Sequence, residues 1–528
     1  MRYLKIPILV AATILLVCCC ASSVLAQSIT QASKVSQSAA ALKGLDSYVH
    51  KVMKQWQVPG LAIAVVKDGK VVLAKGYGVR ELGKPGRVDA DTLFTIASNT
   101  KAFTAAALGT LISSGKLTWD APVTQYVKNF KLSSPYVTEN ITLRDLLTHR
   151  SGYCDPGIAE VTTDASTIIQ RLRYQKPDYG FRAHFCYNNV MFLTAARFIP
   201  AITGETWNRY VEQRLFQPLQ MTRTVTTAKA LAAASDVALP HGMMDGKAAV
   251  IRLEWAHNRD VYAPIGSINS SVNDMSHWLL MLLANGRYAG KPVLKPAIVK
   301  AMETPQIPIQ PDARIGHEIR AAVPGGRFYS YGLGLVVQEF HGHVLVWHAG
   351  DVPGMASVVA MVPDSHLGIV VLSNMNGNDA RFGILNHVLQ SYLGLPQHDV
   401  SQSLYEVTQK MKKGQAMMEK KLADTRTPGT KAPLPLKDYA GTYRDDFYGT
   451  ARIGMENGHL VLHLGNPNFV ADLEHWHNNT FRVKFRYGFL QSLGSDYLTF
   501  QLDAFGNPVK ITSFPAPFHY ERSEQPMH

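Results

Sequence analysis

The sequence predicts a mixed α/β protein of more than one domain that ends in a small antiparallel β domain. Its 528 residues are too many for a single typical domain. From about Leu42, helical and strand patterns alternate, and after a Pro-rich stretch at 425–435 short strand-like segments dominate. Hydrophobic residues make up 46% of the chain and charged residues 18%, which is typical of a globular protein and argues against a disordered or fibrous one.

The first predicted elements are a β-hairpin and a long helix. Residues 60–66 and 71–77 are apolar runs that flank Asp68-Gly69, a pair typical of a tight hairpin turn. Residues 101–114 are rich in Ala and Leu, contain no proline and are followed by Gly115, which predicts a helix. Further helices are predicted at 143–148, 190–202 and 274–284, and further strands at 332–337, 343–348, 357–362 and 368–373.

The composition changes after residue 395. Residues 401–422 form a charged helical stretch, and the three prolines at 425–435 are typical of a linker. The short segments that follow predict a small antiparallel barrel or sandwich, with strands at 450–455, 459–464, 480–485 and 497–502. The predicted divisions are a leader at 1–26, a main domain at 27–395, a helical and Pro-rich linker at 396–433 and a small β domain at 434–528.

The leader has the pattern of a secretory signal. Arg2 and Lys5 precede an apolar run at 6–20, and small residues lead to a cleavage site between Ala26 and Gln27. The run is short for a membrane span, and no later segment offers about 18 uninterrupted apolar residues. We therefore expect a periplasmic or secreted protein with no stable membrane span after cleavage. Lipid anchoring at Cys18 is the alternative, although a valine precedes this cysteine where a lipoprotein signal has a smaller residue.

Charge and cysteine content exclude two other classes. The formal net charge is +13, but Lys and Arg form no dense block, so a nucleic-acid partner is not expected. The five cysteines lack the spacing of a zinc site. Three of them belong to the leader, so the mature chain keeps Cys154 and Cys186 in a compartment that permits disulfides.

A Ser-x-x-Lys motif, Ser98 to Lys101, stands at the start of the Ala-rich helix. Residues three apart share one face of a helix, so the lysine amine can lie beside the serine hydroxyl. A serine needs an adjacent base to become a nucleophile, and a lysine can serve as that base only if its pKa is depressed. A second Ser-x-x-Lys, Ser113 to Lys116, falls at the glycine-broken end of the same helix and is interpreted as a solvated terminus.

Two further motifs follow along the chain. Tyr187-Asn188-Asn189 offers a hydroxyl that could share proton transfer and an amide that could hold a substrate carbonyl. His348-Ala349-Gly350 closes an apolar strand, whose edge could offer backbone N–H groups to a substrate. Each motif alone is more often structural than functional, and the interpretation depends on all three occurring together.

The three motifs, in this order, resemble the signature of the penicillin-recognising serine hydrolases, which include class C β-lactamases, D-Ala-D-Ala carboxypeptidases, D-aminopeptidases and related esterases. The resemblance covers roughly residues 42–395. It implies an α/β (α+β) fold of the β-lactamase/transpeptidase type, with a central antiparallel sheet and an all-helical part. The C-terminal segment from Leu436 to Gly449 resembles the start of a small lipocalin-like β domain.

The resemblance also implies a mechanism by acyl transfer, with no metal and no organic cofactor. Ser98 would attack the carbonyl while Lys101 and Tyr187 move protons, and the backbone N–H groups of Ser98 and Asp351 would form the oxyanion hole. The residues implied to contact the substrate are Asn189, His348, Gly350 and Asp351. A small-molecule or short-peptide substrate is the expected partner, and the cell wall is one source of such molecules.

Two departures from the family pattern concern the substrate. The third motif begins with His348 where class C β-lactamases usually carry lysine, and Asp351 places a carboxylate near the expected position of an anionic substrate. Efficient cephalosporin hydrolysis is therefore not expected, and the bond cleaved stays open between a β-lactam, a D-amino-acid peptide and an ester. Two other functions stay open: a non-catalytic sensor that binds penicillin or peptidoglycan, and a binding role carried by the β domain.

The resemblance favours a disulfide between Cys154 and Cys186. In the family fold both segments lie in the all-helical part beside the active-site cleft, so that a bond would tether the loop of Tyr187. The alternative is a pair of buried thiols.

Overall fold

The computed structural model describes residues 40–523 except 156, 158–163, 245, 252–259, 314, 487–495 and 515–518. The predicted signal at 1–26 lies outside the described residues. The strands of the main part are β1 (Gly60–Lys67), β2 (Lys70–Gly78), β3 (Phe94–Thr95), β4 (His241–Met244), β5 (Lys247–Val250), β6 (Asn269–Ser270), β7 (Arg287–Tyr288), β8 (Lys291–Pro292), β9 (Ile307–Pro308), β10 (Gly326–Tyr331), β11 (Val336–Phe340), β12 (His343–Val352), β13 (Met355–Val362) and β14 (Leu367–Ser373).

The described helices surround and follow these strands. In chain order they are Leu45–Trp56, Thr100–Ser113, Val123–Tyr126, Pro135–Asn140, Leu143–Leu147, Ala165–Arg171, Asn189–Ala196, Phe198–Thr203, Trp207–Val211, Ala228–Ala233, Ala263–Gly266, Val272–Leu283, Pro296–Glu303, Gly316–Ala322, Ala380–Tyr392, Val400–Asp424 and Leu436–Tyr439. Within the described ranges, no helix is long and apolar enough to cross a membrane.

An antiparallel sheet in the order β2-β1-β14-β13-β12-β11-β10-β9 forms the centre of the main part. Successive residues of a strand point to opposite faces. In β1, Ala62 and Ala64 pack with the all-helical part, whereas Ile63 and Val65 pack against the helices Leu45–Trp56 and Ala380–Tyr392 on the other face. Because helices cover both faces, β13 and β14 are buried along their whole length. The predicted fold class is confirmed.

The predicted hairpin is present, and its turn shows why Asp-Gly is found there. Asp68 and Gly69 have φ angles of 50° and 76°, which is the left-handed conformation that a type I′ turn requires at both central positions. Two other predicted boundaries differ. The strand expected at 332–337 begins only at Val336, because Gly334 turns the chain at a φ of 80° where it passes the Lys101 carbonyl. The helix expected at 190–202 is divided at Arg197, and Pro200 lacks the N–H that would bridge the break.

The C-terminal part is a closed eight-stranded barrel, as the sequence predicts. Its strands are β15 (Gly441–Asp445), β16 (Gly449–Glu456), β17 (His459–His463), β18 (Val470–His477), β19 (Thr480–Phe485), β20 (Asp496–Leu502), β21 (Pro508–Phe514) and β22 (His519–Arg522). Tyr439, Tyr443, Phe481 and Phe500 pack together inside it. The cavity among the described barrel residues has a volume of about 40 Å³, which is room for one or two water molecules.

The barrel also packs against the main part. In the turn between β15 and β16, Phe447 is 8% exposed and belongs to the core of the all-helical part. Arg171 donates a hydrogen bond to the carbonyl of Tyr448 at 3.1 Å. The domain boundaries at 26, 395 and 433 stay predictions.

The long helix Val400–Asp424 begins on the main part. Trp56 Nε1 donates to Ser401 Oγ at 2.9 Å, and Lys51 forms an ion pair with Asp399 at 2.6 Å. Its buried residues are Val400, Ser401 and Leu404, and most of its later residues are exposed.

The predicted disulfide between Cys154 and Cys186 is present, with the two Cα atoms 4.8 Å apart and the cysteines 32 residues apart in sequence. It joins the segment that follows helix Leu143–Leu147 to the segment that precedes helix Asn189–Ala196.

We expect the Cys154→Ser/Cys186→Ser variant to be less stable than the wild type by about 3–4 kcal/mol, because the cross-link restricts the unfolded chain over a loop of this length. Urea unfolding of the two proteins would measure the difference. Alkylation of the denatured, unreduced wild type should add no label to either cysteine, and the addition of two labels would contradict the bond.

Candidate active site

Ser98 lies in a single 3₁₀ turn, Ala97–Asn99, directly before helix Thr100–Ser113. Ala97 has a φ of 49°, a left-handed conformation that is costly for a residue with a side chain and is common at functional sites. The buried Ser357 on β13 fixes this turn, since its hydroxyl donates to the Ile96 carbonyl at 2.7 Å and accepts from Asn99 Nδ2 at 2.8 Å. Ser357 has no motif around it, and the sequence analysis missed it.

The Lys101 amine is completely buried beside the Ser98 hydroxyl. Its Nζ lies 2.9 Å from Ser98 Oγ and donates to Asn189 Oδ1 at 2.7 Å and to the Ile265 carbonyl at 3.2 Å. The predicted spacing therefore brings the two residues together, and Asn189 is a partner of the lysine.

The surroundings of Lys101 depress its pKa. Burial lowers the pKa of the amine to about 7, against a smaller opposing effect from the negative charge of Asp155. The Nζ atom also lies 4.9 Å from the centre of the Tyr187 ring and 5.7 Å from that of Phe192. The condition that the sequence analysis set for a lysine base is met.

The Tyr187 hydroxyl donates to Ser98 Oγ at 2.9 Å, so that both predicted proton-transfer groups contact the same oxygen atom. Burial raises the pKa of Tyr187, and the phenol stays protonated at neutral pH. Asp155 holds the loop: its N–H donates to the Tyr187 carbonyl at 2.8 Å, and its carboxylate accepts from the Asn189 N–H at 2.9 Å. Asp155 was not predicted as a site residue, although its position directly after Cys154 placed it next to the predicted disulfide.

The disulfide and His149 support the same loop. The Cys186 N–H donates to the His149 carbonyl at 2.8 Å, and the Asn188 N–H donates to His149 Nδ1 at 3.0 Å. The imidazole lies 4.2 Å from the Tyr187 ring, centre to centre. Burial and the nearby Lys101 hold the pKa of His149 well below its usual value, so that this ring is neutral.

Strand β12 extends past its partner β11 at the site. β11 pairs with β12 only as far as Trp347, whereas β13 pairs with it as far as Val352. Gly350 stands where β12 crosses the nucleophile turn, and a Cβ atom there would lie 2.3 Å from the Ile96 carbonyl oxygen and 2.5 Å from Ser357 Oγ. The third motif thus requires glycine for steric reasons.

His348 lines the pocket with both ring nitrogens already engaged. Tyr331 Oη lies 2.9 Å from its Nε2, and its Nδ1 contacts the Ala349 carbonyl oxygen. Burial and the charge of Lys101 lower the pKa of His348 to about 3. It is therefore a neutral, fixed ring, unlike the lysine that class C β-lactamases usually carry.

Arg381 lies next to Asp351 in the pocket lining. Its guanidinium is 5% exposed and forms a two-point ion pair with the Asp351 carboxylate, which is 51% exposed. The sequence predicted a carboxylate near the substrate but no partner for it, and Arg381, which lies 30 residues away in helix Ala380–Tyr392, was missed.

One pocket of about 580 Å³ contains these groups. The predicted site residues that line it are Ser98, Tyr187, Asn189, His348 and Asp351. The other two predicted site residues, Lys101 and Gly350, are not among the residues that line the pocket. The volume suits a small molecule or a short peptide.

Replacing Gly350 by alanine should displace the nucleophile turn, because the new methyl group would overlap two fixed oxygen atoms. We expect Gly350→Ala to lose most of the hydrolase activity that the motifs predict and to melt at a lower temperature. Gly454→Ala is the matched control, since that strand glycine has open space where a Cβ would stand. Equal melting temperatures and activities for the two variants would contradict the steric argument.

Comparison with known proteins identifies the family. The family model described as Beta-lactamase matches residues 45–393, and one described as a domain of unknown function (DUF3471) matches residues 425–526. Unguisins hydrolase ungD of Aspergillus violaceofuscus is 27% identical over 454 residues, which are 79% of this chain and 77% of that protein. Protein flp of Staphylococcus aureus (strain NCTC 8325 / PS 47) is 26% identical over 344 residues, 63% of either chain.

Solved structures show the same fold. The octameric penicillin-binding protein homologue from Pyrococcus abyssi aligns with a TM-score of 0.59 at 22% identity, over 91% of this chain and 99% of that one. SurE aligns with a TM-score of 0.54 at 17% identity, over 92% of this chain and 100% of that one. The first family model spans the entire eight-stranded sheet and all three motifs, so the chain belongs to the Beta-lactamase family and is an enzyme of the serine hydrolase type.

Proposed function

We propose that the protein is a secreted serine hydrolase that forms an acyl-enzyme on Ser98 and cleaves amide or ester bonds. The observation that carries this proposal is that Ser98 Oγ lies 2.9 Å from both Lys101 Nζ and Tyr187 Oη. A serine hydroxyl becomes a nucleophile when an adjacent base accepts its proton. The leader pattern and the disulfide support secretion.

The depressed pKa of Lys101, about 7 because the amine is buried, supports a neutral lysine as that base. The charged amine has three hydrogens, which match Asn189 Oδ1, the Ile265 carbonyl and Ser98 Oγ. When the amine loses one hydrogen, its lone pair can accept the hydroxyl proton of Ser98. Tyr187, protonated at neutral pH, donates to Ser98 Oγ, so the serine oxygen keeps a donor in either state of the lysine.

The reaction would proceed in two halves. Ser98 Oγ attacks the substrate carbonyl as its proton passes to Lys101, and the leaving amine or alcohol receives a proton through Tyr187. Water then attacks the acyl-enzyme and passes a proton to Lys101 or Tyr187. As the bond between the acyl group and Ser98 Oγ breaks, that proton returns to Ser98 Oγ and the acid is released. The backbone N–H groups of Ser98 and Asp351 would stabilise the oxyanion in both halves, each worth about 3 kcal/mol.

The lining of the pocket favours substrates without a carboxylate. Asp351, Asp379 and Glu318 line it with Arg381, so the arginine supplies no surplus positive charge. His348 stays neutral. We therefore propose measurable hydrolysis of short esters and weak turnover of nitrocefin, which is anionic.

Replacing Ser98 by alanine should abolish hydrolysis of p-nitrophenyl acetate and labelling by a fluorophosphonate probe, because no nucleophile remains. Lys101→Ala should lower kcat by about 10²–10⁴-fold, the usual contribution of a general acid–base group. Ser113→Ala, in the other Ser-x-x-Lys, is the matched control and should keep wild-type activity. A wild-type protein that takes no label on Ser98 would instead support the sensor function.

The pH profile should report the Lys101 amine. The neutral form is the base, and burial sets its pKa to about 7, so kcat/KM for a neutral ester should fall as the pH drops below this value, approaching about tenfold per pH unit. A profile from about pH 5 to about pH 9 would measure it, with Ser113→Ala giving the same midpoint. Activity that rises as the pH falls through this range would contradict a lysine base.

A further inference from the structure

One wall of the pocket comes from outside the hydrolase domain. Leu404, Val407 and Met411 of helix Val400–Asp424 line it, together with Thr408. Their spacing of three and four places them on one face of the helix. This segment falls between the two family matches, which end at 393 and begin at 425, so the wall is not part of the shared family domain.

Apolar side chains from two other helices also line the pocket. Ile315 and Ile319 line it at helix Gly316–Ala322, and Phe382 lines it at the start of helix Ala380–Tyr392. Ser98 and Tyr187 lie in the same pocket. A substrate that extends from the nucleophile through this pocket would therefore meet apolar side chains from three helices.

The start of the helix is fixed, but two of its pocket-lining side chains are exposed. Ser401 is buried and accepts a hydrogen bond from Trp56, and Leu404 is buried too. Val407 is 47% exposed and Met411 is 65% exposed. An apolar group that covered them would be stabilised by removal of this surface from water, and a methionine side chain adapts to irregular shapes.

We propose that Val407 and Met411 form an apolar subsite, and that the enzyme prefers uncharged esters or amides with an apolar group of several carbons beside the scissile bond. This rests on the proposed hydrolase activity of Ser98. It adds the substrate class to that activity and assigns its selection to a helix that follows the catalytic domain.

The test compares short and long neutral substrates. The series are p-nitrophenyl acetate, butyrate and octanoate, which extend the acyl group, and the acetate esters of ethanol and 1-octanol, which extend the leaving group. The variant is Val407→Thr/Met411→Gln, which keeps side-chain size while adding polar atoms. The matched control is Met417→Gln/Met418→Gln on the same helix, where the methionines are 66% and 51% exposed but lie outside the pocket lining.

In the wild type, kcat/KM should rise with chain length in at least one series. The Val407→Thr/Met411→Gln variant should lower the ratio of long to short substrate by about tenfold, with labelling of Ser98 by a fluorophosphonate and the melting temperature unchanged. The control should keep the wild-type ratio.

Three results would overturn the proposal. These are a wild type indifferent to chain length in both series, a ratio that the variant leaves unchanged, and an equal loss in the control. If p-nitrophenyl acetate is hydrolysed and Ser98 is labelled, such a result contradicts the apolar subsite but not the hydrolase function. If no ester is hydrolysed and Ser98 takes no label, the proposed hydrolase function fails and the subsite fails with it.

Discussion

The buried amine of Lys101 is the constraint on which the arrangement of the site depends. A cation is costly to bury, and the groups within hydrogen-bonding distance of this amine are an amide oxygen, a backbone carbonyl and a hydroxyl rather than an anion. These neutral partners satisfy the hydrogens of a neutral amine without restoring its charge, while Asp155 opposes the effect only in part. The same burial keeps the nearby imidazoles of His149 and His348 uncharged. At neutral pH the two imidazoles are therefore uncharged, and the Lys101 amine is near the midpoint of its titration.

Rigid support surrounds that amine. Covalent and hydrogen bonds from Cys154, Asp155 and His149 converge on the four residues 186–189, and Ser357 holds the nucleophile turn from the sheet. Both supports come from neighbouring strands or loops rather than from the helix that carries Lys101. Hydrogen-bond geometry at Ser98 is thus set by three separate parts of the chain, which is how preorganised sites reach the required precision.

The features that could be predicted from the sequence are those formed by residues close together in the chain. The Asp-Gly hairpin and the Ser98-to-Lys101 spacing concern residues that are near in the chain, so their geometry follows from turn and helix rules. Tyr187 and Gly350 meet Ser98 only through the tertiary fold, and the resemblance to a known family brought them together. Ser357 and Arg381 act through contacts over 30 to 261 residues of sequence, which no periodic pattern encodes. The observed start of β11 differs from the predicted one because of another long-range contact: the chain turns at Gly334, where it passes the Lys101 backbone.

The contact between the barrel and the all-helical part has a consequence for the helix between them. Chain 400–424 begins on the main part at Ser401 and leads to a barrel whose Phe447 returns to the core of that same part. The helix and the residues that lead from it to the barrel are therefore attached at both ends, which reduces the conformational freedom of this connection in the folded protein. Deleting the barrel would leave the far end of the helix attached to nothing beyond it. The contact that Phe447 makes would thus restrain a segment whose first half lines the pocket, although the barrel itself lines none of it.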